Sequence, residues 1–276
     1  MHQPNDVRIA TTPPLSTGVC LHYAERGDPT GEAIIFLHGY SDSWFSFSRM
    51  LPLLLPKYHA FALTQRGHGD SDKPRCCYTP EDFASDVDAF MAAVGIEQAT
   101  VVGASTGALF AQRVALDYPR RVRRLVLVAA QTPANEAVMG LVEEVRALED
   151  PVPPEFVRGF QESTIYHPVP PEFLDTVVSE SLKLPARVWR DYMEQAALSI
   201  DHDYVLPLRE IDVPTLMLWG EEDPLFPREE QERLAGAIPD AALKVYPETG
   251  HAVHWERPEQ VVGDLEEFME DTHPAR

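Results

Sequence analysis

Apolar residues fall along this chain in two alternating rhythms. Short, nearly unbroken apolar runs occupy 19–23, 33–37, 59–63, 100–102, 125–128, 215–219 and 243–246. The middle ones do not alternate with polar residues, which is how strands read when both faces of a sheet are covered. Between them lie helical patterns. Thr79-Pro80-Glu81-Asp82 supplies a cap, a first-turn proline and acidic residues ahead of Phe83, Val87, Phe90 and Val94, which share one helix face. Residues 107–118 carry Leu109, Phe110, Val114 and Leu116 and stop before Pro119, and Pro258 opens a last helix with Val261, Val262, Leu265, Phe268 and Met269. Strands alternating with helices predict an α/β fold with a mostly parallel sheet. An antiparallel N-terminal hairpin closed at Arg26-Gly27-Asp28 is expected as the exception.

The rhythm breaks between 131 and 212, where helix-like stretches at 137–148, 154–163, 171–182 and 185–198 follow one another without a strand. Such a block reads as a helical cap (131–212) over one edge of a core formed by 1–130 and 213–276.

Composition narrows the function. The chain has 276 residues, 44% hydrophobic and 24% charged, in the range of folded globular proteins. Forty-four Asp and Glu against 23 Lys and Arg give a formal charge of −21, a field that repels phosphate backbones and anionic lipid. Nucleic acid and membrane surfaces are therefore not expected partners, and no apolar run approaches the length of a membrane span. The first six residues lack a secretory pattern, and Cys20, Cys76 and Cys77 lack zinc-ligand spacing. Together they point to unpaired thiols in a reducing cytoplasm.

Candidate chemistry begins at Gly103-Ala104-Ser105-Thr106-Gly107, which sits between a strand and a helix. A serine on such a sharp turn projects its hydroxyl at the carboxyl edge of the sheet, and the following helix N-terminus favours a developing anion. With this motif the chain resembles the α/β-hydrolase superfamily, in its capped esterase, lactonase and C–C hydrolase branch. The resemblance covers about 19–130 and 213–270. It implies a mostly parallel eight-stranded sheet flanked by helices, a helical cap after the sixth strand, and a triad in the order Ser, acid, His. Relatives that open epoxides or remove halogens carry Asp where this chain has Ser105.

By that resemblance the acid lies in Trp219-Gly220-Glu221-Glu222-Asp223-Pro224, implicating Asp223 with Glu221 and Glu222 as competitors. The base lies in Gly250-His251-Ala252-Val253-His254-Trp255-Glu256-Arg257-Pro258, implicating His251 with His254 as the alternative. His38-Gly39-Tyr40 resembles the oxyanion turn, which implies the backbone N–H groups of Tyr40 and Thr106 as donors and His38 as a support. In Gln65-Arg66-Gly67-His68-Gly69-Asp70-Ser71, Arg66 is expected to bridge loops, although Thr64 stands where relatives carry Asp. Thr106 stands where relatives often have Met, which is expected to open space beside the nucleophile. Trp44, Trp189, Phe226 and His254 are candidates for an apolar substrate pocket.

No phosphate loop, dinucleotide fingerprint or HExxH motif is present, so neither a cofactor nor a metal is implied. The expected activity is hydrolysis of a small apolar carboxylic ester or lactone through an acyl-enzyme. Two alternatives remain at this stage: hydrolysis of a C–C bond in a vinylogous diketone, and a ligand receptor on a hydrolase scaffold.

Overall fold

The computed structural model describes residues 6–200 and 203–271, so residues 1–5, read above for a leader, lie outside it. One sheet of eight strands organises the chain: β1 (Arg8–Thr11), β2 (His22–Gly27), β3 (Glu32–Leu37), β4 (Tyr58–Leu63), β5 (Ala99–Ala104), β6 (Val122–Val128), β7 (Thr215–Gly220) and β8 (Ala241–Tyr246). Their order is β1-β2-β4-β3-β5-β6-β7-β8, parallel from β4 onward and antiparallel at the β1–β2 and β2–β4 pairings.

The unbroken apolar runs are explained by cover on both faces. Ile35, Leu37, Val101, Leu125 and Leu127 face α1 (Pro80–Ala93) and α2 (Thr106–Asp117), whereas Ile34, Phe36, Val102, Val126 and Val128 share the other core with α9 (Pro258–Glu270). Helix α1 begins on the capping box formed by Thr79 and Asp82. Among the described residues no helix is long and apolar enough to cross a membrane.

Among the described residues four α-helices stand between β6 and β7: α3 (Glu136–Arg146), α4 (Pro154–Ser163), α5 (Pro171–Ser181) and α6 (Ala186–Gln195). Their buried faces, with Val142, Val157, Trp189 and Tyr192, join the same apolar cluster as Phe83 and Phe110 of the core. The insertion is thus packed down on the sheet's carboxyl edge. After β7 come α7 (Arg228–Ala237), and after β8 the single turn α8 (Val253–Glu256).

Three local expectations are corrected. Strand β2 begins at His22 and pairs antiparallel with β4, not with the strand that follows it. The turn at Gly27 (φ +100°) therefore carries the chain past β4 and does not close a hairpin, and an added Cβ there would strike the Tyr58 carbonyl at 1.8 Å. Cys76 and Cys77 are joined as a vicinal disulfide, with Cys77 in the left-handed region (φ 74°); Cys20 is free.

Candidate active site

Ser105 links β5 to α2 with φ 54° and ψ −121°, a conformation that costs a residue with a side chain about 1–3 kcal/mol. Close packing around it holds the turn. A Cβ at Gly107 would lie 2.2 Å from the Leu37 carbonyl, and one at Gly103 would lie 2.2 Å from the Gly107 carbonyl. Both motif glycines are thus required by backbone contact between β3, β5 and α2. The Ser105 N–H donates to the Val128 carbonyl at 2.9 Å, tying the turn to β6 as well.

Asp223 and His251 follow the next two strands. Asp223 Oδ1 accepts the backbone N–H groups of Leu225 (2.8 Å) and Phe226 (3.1 Å), and its Oδ2 meets His251 Nδ1 at 2.8 Å, with both side chains buried. Facing a carboxylate, Nδ1 carries the imidazole proton and Nε2 is left as the acceptor. Glu221 and Glu222 point to solvent; their backbone N–H groups donate to the Tyr246 and Thr249 carbonyls and close the acid loop. Glu256 accepts the N–H groups of Gly250 (2.9 Å), Tyr166 (3.0 Å) and His167 (2.9 Å), fixing the histidine loop against the helical insertion.

Ser105 and His251 line one cavity of about 40 Å³. Tyr40, Phe160, Leu225 and Trp255 give it apolar walls; Asp42, Gln161, Thr164 and His254 give it polar ones. Of the four aromatic and histidine pocket candidates, only His254 is in this lining. Trp44 packs half-buried beside Phe45. Trp189 is fully buried behind Tyr40, whose hydroxyl donates to the Trp189 carbonyl at 2.7 Å. Phe226 sets its ring against the His251 imidazole at 5.4 Å and so buttresses it from outside the cavity. Space beside the nucleophile is not opened at Thr106, because the Tyr192 hydroxyl donates to Thr106 Oγ1 at 2.6 Å and fills it.

Gly39 brings the His38-Gly39-Tyr40 turn against the nucleophile: a Cβ there would stand 3.1 Å from Ser105 Cβ. Thr106 is the first residue of α2, where a backbone N–H has no intrahelical acceptor, and among the described residues the Tyr40 N–H has no protein acceptor either. His38 donates from Nδ1 to the Gly39 carbonyl (2.8 Å) and accepts the Gln65 N–H at Nε2 (3.0 Å), so it braces the turn; burial holds its pKa well below the usual value and the ring is neutral. Arg66 makes a two-bonded ion pair with Asp86 on α1 and donates to the Cys77 carbonyl, bridging loops without help from position 64.

Sequence reasoning missed Asp42, Phe160 and Gln161 of α4, and Thr164 at its C-terminal cap. Asp42 is buried yet carboxylic. Its Oδ2 accepts the Ser46 hydroxyl (3.1 Å), its Oδ1 accepts Gln161 Nε2 (3.1 Å), and burial pushes its pKa up to about 7. Ser46 Oγ also accepts Trp255 Nε1–H (2.9 Å) and meets His254 Nε2 (2.9 Å). One hydroxyl proton cannot serve both Asp42 and His254. With Asp42 ionised, Ser46 donates to it and His254 donates from Nε2. With Asp42 protonated, the carboxyl donates to Ser46, Ser46 donates to His254, and the imidazole proton moves to Nδ1. Burial lowers the His254 pKa to about 3, so that ring is neutral in both states.

A raised carboxyl pKa means that the folded protein holds the proton more tightly than the unfolded chain. The associated stability is complete below the ordinary value of 3.8 and is lost as pH rises through about 7. Asn at position 42 can reproduce the protonated pattern, donating to Ser46 and accepting from Gln161. The Asp42→Asn variant is therefore expected to gain stability relative to the parent between pH 5 and pH 8, at up to about 1.4 kcal/mol per pH unit. The low pKa of His254 acts in the opposite direction, losing stability as pH falls from 6.5 toward 3, but it is common to both proteins and cancels. Urea unfolding of the pair at the two pH values measures the difference; a gap that does not change with pH would contradict it.

A family profile described as alpha/beta hydrolase fold matches residues 32–258. The solved structure of the esterase EaEST from Exiguobacterium antarcticum is similar with a TM-score of 0.83 and 22% identity, covering 95% of this chain and 99% of that one. In sequence, the chain is 28% identical to a non-heme haloperoxidase of Rhodococcus erythropolis, over 92% of this chain and 97% of that protein. It is 27% identical to the 2-hydroxy-6-oxononadienedioate/2-hydroxy-6-oxononatrienedioate hydrolase 2 of Pseudomonas putida, over 87% of each. The family match spans most of the chain, and the eight-stranded sheet with its serine turn is the architecture the sequence implied. The protein belongs to the α/β-hydrolase fold family.

Proposed function

We propose that this hydrolase cleaves small carboxylic esters or lactones through an acyl-enzyme, with Ser105, His251 and Asp223 as its catalytic triad. The observation that carries the reading is the 2.8 Å His251–Asp223 contact, which leaves Nε2 unprotonated in the cavity that Ser105 also lines. Ser105 Oγ attacks the ester carbonyl carbon while its proton passes to His251 Nε2. The carbonyl oxygen, now anionic, is held by the Tyr40 and Thr106 N–H groups; one such donor is typically worth 100- to 1,000-fold in rate. His251 returns the proton to the leaving alkoxide, the C–O bond breaks, and an ester to Ser105 remains. Water, deprotonated by the same nitrogen, attacks this ester and releases the acid. Asp223 stays ionised throughout and stabilises the imidazolium.

The helices α3–α6 act as the cap, with α4 closing the cavity through Phe160 and Gln161, and Thr164 at its C-terminal cap. A diacid of the kind named for the Pseudomonas relative would need cations to hold it. This cavity is lined by a carboxyl group and by no Lys or Arg, which favours the ester reading over the C–C one.

Cavity size gives a test. Across p-nitrophenyl esters from acetate to decanoate, kcat/KM is expected to be highest at two to four carbons and to fall at least about 10-fold by ten, because a longer chain must displace Phe160 or Leu225. A flat or rising series would contradict a small acyl pocket.

A further inference from the structure

Asp42 has no part in the reaction just described, yet it lines the cavity with the nucleophile. The atoms around Gly39 locate it: a Cβ at that glycine would stand 3.1 Å from Ser105 Cβ and 3.7 Å from Asp42 Oδ2, so nucleophile and carboxyl flank one small residue. The side chain is buried, and its protein partners occupy only part of its capacity. Ser46 supplies one donor to Oδ2 and Gln161 one to Oδ1, whereas a carboxylate has about four acceptor sites. Gln161 is itself shared, with the Ser41, Asp42 and Ser181 oxygens all within 3.1 Å of its Nε2, so its two N–H groups cannot satisfy all three at once. This polar wall, unlike the apolar one of Phe160 and Leu225, has hydrogen-bonding capacity left over for a ligand.

We propose that Asp42, held by Ser46 and Gln161, is a specificity-determining subsite that accepts a hydrogen bond from a hydroxyl group a few bonds from the scissile carbonyl, so that hydroxy esters are the preferred substrates. This rests on the ester-hydrolase reading and names its substrate class. Charged alternatives fit less well. A carboxylate on the substrate would face Asp42 with no Lys or Arg in the cavity lining to offset it. An ammonium would be bound where the His251 imidazolium forms during each turnover. A neutral hydroxyl donates to Asp42 without either conflict. The wall around Asp42 comprises Ser46, His254 and His251 from the core loops and Gln161 from α4. Of the titratable groups facing it, His254 is kept neutral by burial and Tyr192 has its pKa raised by burial, so the carboxylate is the acceptor that remains.

Binding, measured apart from turnover, tests this. Calorimetric titration of the Ser105→Ala protein at pH 8 with ethyl butanoate and ethyl 3-hydroxybutanoate is expected to show the hydroxy ester binding about 10-fold tighter. Adding Asp42→Leu, a side chain of similar shape with no polar atom, should remove that preference, because the hydroxyl then finds neither an acceptor nor a donor at this position. Gln161→Leu, which leaves Asp42 in place but frees it to rotate, should weaken the preference in part. Equal affinity for the two esters in the Ser105→Ala protein, or a preference that survives Asp42→Leu, would overturn the subsite. Hydrolysis of either ester by the Ser105→Ala protein would instead defeat the catalytic reading, a separate and visible outcome.

Discussion

Replacing Ser105 with Ala is expected to lower kcat for a short p-nitrophenyl ester about ten-thousand-fold or more while the protein stays folded. The size follows from the role: without Oγ no acyl-enzyme forms, and His251 and the oxyanion donors can only assist water. Folding should survive because alanine keeps the Cβ that already tolerates φ 54°, and no side-chain bond from Ser105 caps α2. Ser105→Gly separates strain from chemistry. It should be equally inactive but more stable than Ser105→Ala by about 1 kcal/mol, since glycine adopts a positive φ without the Cβ penalty. Steady-state kinetics and urea unfolding of the two variants provide the check. Substantial activity in either would remove Ser105 from the mechanism.

Asp223→Asn should be nearly as damaging, for a reason visible in the hydrogen bonds. Oδ1 accepts two backbone N–H groups, from Leu225 and Phe226, so the amide of Asn must place its oxygen there. Its NH₂ then faces His251 Nδ1 and donates to it. The imidazole proton is driven to Nε2, the atom that has to receive the Ser105 proton, and kcat is expected to fall by about ten-thousand-fold with geometry preserved. Glu221→Gln and Glu222→Gln, altering exposed side chains away from His251, should have little effect. A small effect of Asp223→Asn together with a large one of Glu222→Gln would reassign the acid.

Local chemistry explains which parts of this account could be read before the fold was known. Gly103 and Gly107 are demanded by backbone contacts that recur wherever a strand, a serine turn and a helix pack so closely, so their spacing marks the turn in the sequence. The Asp223 and His251 loops are legible for the same reason, each following an apolar run that becomes a buried strand. The inserted helices α3–α6 were also visible, with boundaries within a few residues, because proline opens or precedes most of them.

Less local features were hidden. Strand β1 is an edge strand with mostly exposed residues, so it lacks the apolar run that marks the others. The pairing of β2 with β4 depends on sheet order, which no short-range pattern specifies. Trp44, Trp189 and Phe226 were expected at the cavity because aromatic residues near a catalytic loop suit a ligand pocket equally as well as a core; their placement was decided by how the insertion docks. Asp42 lies in a stretch of small and aromatic residues, and its burial becomes apparent only when Gln161 arrives from α4, 119 residues away.

The central claim is that Ser105 is made nucleophilic by His251. Its most direct measurement is covalent labelling with a fluorophosphonate, read by peptide mass spectrometry. One adduct is expected, on Ser105, forming rapidly in the parent protein and slowed by several orders of magnitude in His251→Ala. Ester turnover with no adduct on Ser105, or labelling of Ser105 at an unchanged rate without His251, would contradict it.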